Sequence, residues 1–384
     1  SGDPDQEYFA DAISEDLVIA LSRWRWFFVI ARDSSFAYKG RAPDTGQVGR
    51  ELGVRYVLEG SVRKAGNRVR VSAQLIDALD GTHIWADSFD RELIDIFLLQ
   101  DEITERVVGA IEPAMLQSEG ARTARKNPSD LTAFDYFQRG MWHFNKVTEE
   151  GYHAALALFR QAMQQDPELA LSYVGLARAL YGGAAYGWSP EPRADLVEAY
   201  ATAQAAIRLD PRDAYAYFAA AGAALYLGSH REALEAARKT VVLNPNFAFG
   251  HFRLGQVLVY SGRAAEAIGP IERSLRHSPF DSQLGPMHRM LALAFFHAGD
   301  YAQAIAEAET AVRLGDIAAA PLAAAGLARA GRLDEAREIF TPQLQAQSRA
   351  RSGYPMPYAN VADRKALGGA LRLVSTGAEA FAGR

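Results

Sequence analysis

A proline that recurs at a fixed interval constrains the fold of this chain more than any other feature. Pro211, Pro245 and Pro279 are separated by two successive intervals of 34 residues. A period of roughly 20–50 residues is typical of stacked structural repeats. Small residues recur in the same register, with intervals of 44, 34, 34, 37 and 32 residues, at Ala155, Ala199, Ala233, Ala267, Ala304 and Ala336.

Each period contains the signals of two helices joined by a turn. In residues 214–247, a first helix is predicted over 214–227 and ends at Gly228, because glycine readily adopts the left-handed cap conformation. A second helix is predicted over 231–243, and Pro245 disfavours helical geometry in the residue before it. The small residues allow the two antiparallel helices to approach closely. The sequence therefore predicts a stack of helical hairpins.

This pattern resembles the tetratricopeptide repeat, with five to six units over residues 131–344. The second unit carries about ten extra residues, placed around 182–192, and the fifth has Asp316 where the family has proline. His251 departs from the usual aromatic residue of its position. In the fourth unit the pattern is matched by His251, Leu254, Gly255, Leu258, Ala267, Ile271, Ser274 and Pro279.

The amino-terminal 120 residues have a different pattern, which predicts an α+β domain ahead of the all-α repeat solenoid. Val69, Val71, Ala73 and Leu75 alternate with polar residues, as in a strand with one face exposed to solvent. Pro113 is expected to kink or end the last helix. The predicted order is a helix at 7–24, a strand at 26–31, a helix at 44–52, strands at 56–63, 69–77 and 83–89, and a helix at 94–117.

The same region resembles the TolB-amino-terminal-like domain of bacterial signalling proteins. In the arrangement that it most resembles, this domain follows a class III adenylate or guanylate cyclase catalytic domain and precedes tetratricopeptide repeats. A rarer arrangement has a winged-helix DNA-binding domain in front. Ala12 stands where the family usually has glycine, and the family's first strand would lie before Ser1, which would leave an unpaired strand edge. The matching segments are 2–11, 13–17, 29–32, 34–40, 48–63, 74–77, 85–87, 95–97 and 100–103.

These patterns divide the chain into four predicted parts. The TolB-like domain covers 1–120, a linker covers 121–130, the repeats cover 131–344, and a carboxy-terminal tail or capping segment covers 345–384.

Composition excludes several classes of function. The formal net charge of −5, from 41 basic and 46 acidic residues, gives no basic excess for nucleic-acid binding by this chain. The longest strongly apolar stretch, 26–31, is far shorter than the roughly 20 residues of a membrane span. The absence of cysteine excludes thiolate metal sites and a cysteine nucleophile. A cytoplasmic location is predicted, although a cysteine-free chain is also compatible with the periplasm.

No catalytic, cofactor or metal site is predicted. The eight histidines form no His-x-x-x-His or His-x-x-Glu-His pattern, and the glycine pairs at 182–183 and 368–369 lack the Lys-Ser or Lys-Thr of a phosphate loop. The carboxylate pair of a class III cyclase is not matched, so catalysis would reside outside this chain. The segment 34–40 is a weaker candidate for anion binding, with a capped turn as the alternative. Glu59, Arg63, Arg68 and Arg70 are interpreted as exposed cross-strand charge pairs.

The first helix of each repeat is expected to line a groove for a protein or peptide partner. The groove is rich in aromatic residues and poor in lysine, which disfavours a carboxylate clamp of Lys and Asn and favours an apolar helix or extended segment. Arg178 and Arg289 also map to groove positions. The alternative is that residues 354–358 cover the groove from within the chain. The predicted groove residues are Phe137, Phe144, Val174, Tyr181, Tyr215, Phe218, Phe249, Phe252, Gln256, Tyr260 and Phe296.

Three functions follow as alternatives. The first is a non-catalytic regulatory and protein-interaction module of a class III cyclase, in which the repeats bind a partner or mediate a homodimer. The second is the effector half of a winged-helix transcription activator. The third is a small-ligand sensor between the two domains. The residues upstream of Ser1 would separate the first two.

Overall fold

A computed structural model describes residues 4–23, 29–30, 32–38, 44–92, 96–123, 131–277, 283–341 and 356–376. The chain forms two compact units, Ser1–Pro128 and Ser129–Arg384. Within the described helices, none combines the length and the apolar character that a membrane crossing demands.

The first unit is an α+β domain built on an antiparallel sheet. Its described strands lie in the order β1-β2-β3, and a two-residue turn with Gly66 at φ 60° joins the first two. The register pairs Tyr56 with Asp77 and Ala65 with Arg68. The elements are α1 (Pro4–Leu21), α2 (Arg32–Phe36), α3 (Thr45–Leu52), β1 (Tyr56–Ala65), β2 (Arg68–Asp77), β3 (His83–Glu92) and α4 (Ile96–Thr123).

Helices α1 and α4 pack together on one side of this sheet, where the core lies. The alternating residues of β2 point into the core, as their pattern predicted, and Phe9 and Ile13 of α1 meet Ile103 and Val107 of α4 there. On the exposed side, Asp90 forms ion pairs with Arg68 at 2.9 Å and with Arg70 at 2.6 Å. Arg68 and Arg70 are therefore paired across strands, but with Asp90 and not with Glu59, which accepts a hydrogen bond from the Gln74 amide.

Two segments of this unit, at Pro113 and at residues 26–31, bear on the elements predicted from the sequence. Helix α4 continues for ten residues beyond Pro113, so this proline does not end it. The strand predicted at 26–31 lies mostly outside the described residues, and Val29 and Ile30, which are described, belong to no strand. Gly53 ends α3 at φ 65°, as predicted.

The second unit is an all-α solenoid of helix pairs, and the described residues contain six of them. Gly228, Gly262, Gly299 and Gly331 have positive φ in the turns within the later pairs. The pairs are α5 (Ala133–Phe144) with α6 (Glu149–Gln165), α7 (Ala170–Tyr186) with α8 (Pro192–Leu209), α9 (Ala214–Tyr226) with α10 (His230–Leu243), α11 (Ala248–Tyr260) with α12 (Ala264–His277), α13 (Leu284–Ala298) with α14 (Tyr301–Arg313), and α15 (Ala320–Arg329) with α16 (Leu333–Ile339).

Small residues form the seam between paired helices. Ala199, Ala233 and Ala267 have no exposed surface. Gly255 of α11 lies against the Ile271 side chain of α12, at a distance that leaves no room for a Cβ atom. The recurring alanine and glycine therefore set the close approach of the two helices, as the spacing predicted.

The first helices of the pairs form the inner layer of the solenoid. Each of them contacts the first helix of the following pair, from α5 through α15, whereas no comparable contact joins successive second helices in the described part of the chain. Side chains from three successive repeats can therefore meet on the inner layer.

A final helix, α17 (Val361–Thr376), closes the carboxy-terminal end. It packs on α15 and α16, where Ala370 and Val374 are buried. The last repeat consequently has its apolar surface covered by the chain itself, as terminal repeats of solenoids require.

Candidate functional site

The predicted groove residues differ widely in burial. Phe137 and Val174 have no exposed surface, and the ring of Phe137 packs 6.0 Å from that of Phe159. These two side chains contribute to the core of the first two repeats and offer no surface to a partner. Phe296 is also buried, with its ring 5.7 Å from that of Tyr301.

The rings of the third repeat are covered mainly by neighbouring side chains. Tyr215 and Phe218 of α9 are both buried, and their rings lie 4.2 Å and 5.3 Å from the ring of Phe247. Tyr181 of α7 approaches Phe218 edge-on, at 6.2 Å. These contacts join repeats two, three and four into one aromatic cluster.

The more exposed aromatic residues lie at either side of this cluster. Phe144, Phe249 and Phe252 are each partly exposed, and Phe252 packs against the core of the later repeats. The guanidinium of Arg178 lies 5.2 Å from the ring centroid of Phe144 and 5.5 Å from that of Tyr215. An arginine thus occupies the space between the rings of repeats one and three.

A second arginine, Arg253, lies at the centre of the cluster, and it was not among the predicted groove residues. Its guanidinium carbon is 4.8 Å from the ring centroid of Tyr181 and 4.8 Å from that of Phe218. It donates to the Tyr181 hydroxyl at 2.8 Å and to the Gln256 amide oxygen. On α11, Arg253 directly follows Phe252, one of the predicted groove residues. Its presence follows from the packing of three helices, which the repeat pattern does not encode.

Gly222 of α9 makes the space that Arg253 occupies. A Cβ atom at this position would lie 3.3 Å from the guanidinium carbon of Arg253 and 3.3 Å from the ring of Tyr181. The missing side chain lets Arg253 of the fourth repeat extend across the third repeat and reach the second. Three repeats are therefore connected through one buried cation.

A third arginine of the inner layer, Arg289, lies in the fifth repeat and is paired with a carboxylate. Its Nε donates to Asp316 at 2.7 Å. Burial raises the pKa of Tyr226, against the opposing influence of the positive charges of Arg253 and Arg289. Tyr226 therefore keeps its proton and lies within the field of both guanidinium groups.

The carboxy-terminal segment covers a different part of the inner layer. The ring of Tyr358 lies 5.0 Å from that of Tyr260, and its hydroxyl is 3.1 Å from Nε2 of His297. The Ala359 amide donates to the Tyr260 carbonyl at 2.8 Å, and the Tyr260 hydroxyl contacts Sδ of Met356 at 3.1 Å. The described tail residues thus cover Tyr260, while residues 354 and 355 of the expected covering strand lie outside the described residues.

No group of three or more metal-binding side chains occurs in the described ranges. In the segment considered for anion binding, Ser34 and Ser35 belong to the short helix α2, and residues 39 and 40 are outside the described part.

Comparison by sequence identifies one curated relative. This chain is 41% identical over 210 residues to a protein of Rhizobium meliloti (strain 1021) named "Putative adenylate cyclase 3". The match covers 55% of this chain and 36% of the relative, so the chain spans about a third of that protein's length. No family model matches the chain.

Solved structures of repeat proteins resemble part of this chain. A tetratricopeptide-repeat protein of Thermus thermophilus, TTC0263, is 20% identical with a TM-score of 0.39, covering 48% of this chain and 91% of its own. YrrB, described as a tetratricopeptide-repeat protein with an unusual peptide-binding site, is 19% identical with a TM-score of 0.37, covering 50% and 97%. A chain of the Cut9–Hcn1 assembly is 16% identical to this chain with a TM-score of 0.49, and the match covers 72% of this chain and 49% of the Cut9–Hcn1 chain.

Proposed function

We propose that this chain is a non-catalytic protein-binding module that regulates an adenylate or guanylate cyclase. The observation that carries the proposal is the inner layer of the solenoid, where arginine and aromatic side chains of three successive repeats converge around Arg253. An arginine buried among rings is typical of the anchoring positions of protein interfaces. The module would bind a partner segment along this layer.

The link to a cyclase rests on sequence similarity. The identity of 41% over 210 residues to the Rhizobium meliloti protein supports a common origin of the matched region, and the resemblance of the amino-terminal segments to the TolB-like domain agrees with it. Because the match covers 36% of that protein, the catalytic activity itself is assigned to residues outside this chain.

The test uses the complete gene product that contains this sequence. We expect it to convert ATP or GTP to a cyclic nucleotide, and we expect Phe249→Ala combined with Phe252→Ala, two partly exposed rings of α11, to change that rate while leaving the cyclic nucleotide formed unchanged. Truncating two aromatic anchors commonly weakens binding by a few kcal/mol, about 100-fold or more. The matched control is Phe340→Ala, on the last repeat, outside the aromatic cluster.

Two outcomes would oppose the proposal. A complete gene product without cyclase activity and with a winged-helix DNA-binding domain would favour the transcription-activator alternative. A cyclase whose rate is the same in the parent and in the double variant would remove the aromatic cluster from the regulation.

A further inference from the structure

Arg253 carries a charge that its surroundings do not neutralise. The residue is 6% exposed, and among the residues that the structure describes no carboxylate lies within ion-pair distance of it. Its neighbours are two aromatic faces, a tyrosine hydroxyl and an amide, and Nε of its guanidinium is buried without a hydrogen-bond partner. Burying a charge without a counter-ion is costly, even when ring faces offset part of the cost.

Arg289, the next arginine of the inner layer, differs from Arg253 in having a carboxylate partner. Arg289 lies beside the same Tyr226 and is paired with Asp316 at 2.7 Å. The fold therefore provides a carboxylate partner for Arg289, whereas no described carboxylate pairs with Arg253. A guanidinium without a counter-ion is suited to bind a carboxylate, which it can hold through two parallel hydrogen bonds.

We propose that Arg253 is the receptor for a carboxylate side chain of an acidic peptide segment that lies along the inner layer of the repeats. The inference rests on the proposed protein-binding function and names the chemistry of its partner. The sequence favoured an apolar partner segment because the predicted groove residues include no lysine. Arg253, which is not among those residues, favours an acidic segment instead.

The surroundings of Arg253 fit such a segment. Tyr181 and Gln256 each retain 8% of their surface, and Tyr226 is partly exposed, so the residues around Arg253 are not fully covered by the chain. The Gln256 amide oxygen accepts a hydrogen bond from Arg253, which orients the guanidinium. Arg178, whose guanidinium is 5.8 Å from the Phe218 ring, extends the positive character in the other direction. The arginines of repeats two and four therefore favour an extended acidic segment.

The experiment compares two fluorescein-labelled pools of twelve-residue peptides by fluorescence anisotropy. Both pools share the same randomised positions, and the fixed positions are glutamate in one pool and glutamine in the other. We expect the parent chain to bind the glutamate pool about 10- to 100-fold more tightly, since a hydrogen bond to a charged group contributes about this much. Arg253→Gln should remove the difference, and Arg238→Gln, an exposed arginine on α10, should retain it.

A second measurement separates binding from a structural role. Because an uncompensated buried charge does not stabilise a fold, Arg253→Met should melt at the same temperature as the parent chain or above it. A lower melting temperature together with unchanged discrimination between the two pools would make Arg253 a structural residue and would overturn the proposal.

The remaining outcomes are also decisive. Equal binding of the two pools, lost in Phe249→Ala with Phe252→Ala, would refute the carboxylate receptor and leave the protein-binding function intact. Binding of ATP or inorganic phosphate in place of the glutamate pool would refute the choice of a peptide. Binding of neither pool would refute the inference, and the proposed function would then be decided by the cyclase rate of the complete gene product.

Discussion

At the scale of single residues, the absence of a side chain determines much of this structure. Gly222 leaves the space into which the Arg253 guanidinium extends, and Gly255 allows α11 to lie against Ile271 of α12. Both glycines lie inside helices, where glycine is intrinsically unfavourable by about 0.5–1 kcal/mol relative to alanine. Close packing therefore explains glycine at these positions.

Gly255→Ala should destabilise the fold. The added methyl group would lie far inside van der Waals contact with Ile271, and relieving such crowding costs about 1–3 kcal/mol. Gly368→Ala, in α17, is the matched control, because the nearest atom to its added Cβ is at 3.9 Å. This control should stabilise the chain by about 0.5–1 kcal/mol. Urea unfolding of both variants measures the free energy of unfolding, and equal values would contradict the packing at Gly255.

The contact between His297 and the tail should depend on pH. Burial lowers the pKa of His297, against the opposing charge of Asp363. The neutral imidazole is therefore favoured in the folded chain, and the unfolded chain binds the proton more readily. This contribution to stability is fully present above about pH 6.5, the ordinary value, and is lost as the pH falls through the lower folded pKa. The groups that face His297 are Tyr358 and Asp363.

Hydrogen exchange of the Ala359 amide measures this loss, because that amide donates to the Tyr260 carbonyl. We expect its protection, corrected for the intrinsic exchange rate, to fall between pH 7 and pH 5. His297→Gln should make the protection nearly independent of pH in this range. Protection that stays constant in the parent chain would contradict a role for His297 in holding the tail.

At the scale of helices, the paired helices depend on an alanine seam. Ala233, Ala237 and Ala267 have no exposed surface, and each lies on the second helix of its pair. A larger side chain there would separate the two helices of one repeat. Because repeats contact mainly their neighbours, such a change should first affect one region of the solenoid.

Ala233→Leu and Ala267→Leu should each destabilise the chain by about 1–3 kcal/mol through overpacking. Ala265→Leu lies on the same helix as Ala267 but is exposed, and it should change the free energy of unfolding by less than about 0.5 kcal/mol. Thermal unfolding followed by circular dichroism distinguishes the three variants. If both buried variants melt like the parent chain, the assignment of the helical seam is wrong.

At the scale of the whole molecule, the net charge of −5 contrasts with the arginines of the inner layer. Acidic residues predominate in the chain as a whole, while Arg178 and Arg253 lie among the aromatic rings of the first helices. This separation of charge favours an acidic partner at the inner layer and disfavours nonspecific attraction of acidic molecules elsewhere.

The purified chain should not convert ATP or GTP to a cyclic nucleotide in the presence of Mg²⁺ or Mn²⁺. The reason is that the sequence has no match to the carboxylate pair that holds the metal ions in class III cyclases. The measurement is chromatographic detection of cyclic AMP and cyclic GMP, with an active cyclase as the positive control. Turnover that persists through a further purification step would contradict the assignment of catalysis to residues outside this chain.

The sequence by itself determined the elements and their repetition. Proline and glycine restrict the backbone locally, and alanine at a period of 34 residues marks the seam, so the helix pairs could be derived from spacing. The alternation of Val69, Val71 and Ala73 defined the buried face of β2 in the same way. These signals act within one repeat or one strand, where neighbours in sequence are also neighbours in space.

Only the tertiary structure decided which side chains meet on the inner layer. Phe137 and Val174 were expected in a groove and have no exposed surface, whereas Arg253 was not expected there and lies between Tyr181 and Phe218. Arg253 and Tyr181 are 72 residues apart, in repeats that are not adjacent. A repeat pattern describes each unit alone, while burial and pairing on the inner layer depend on how far a long side chain reaches across the intervening helix.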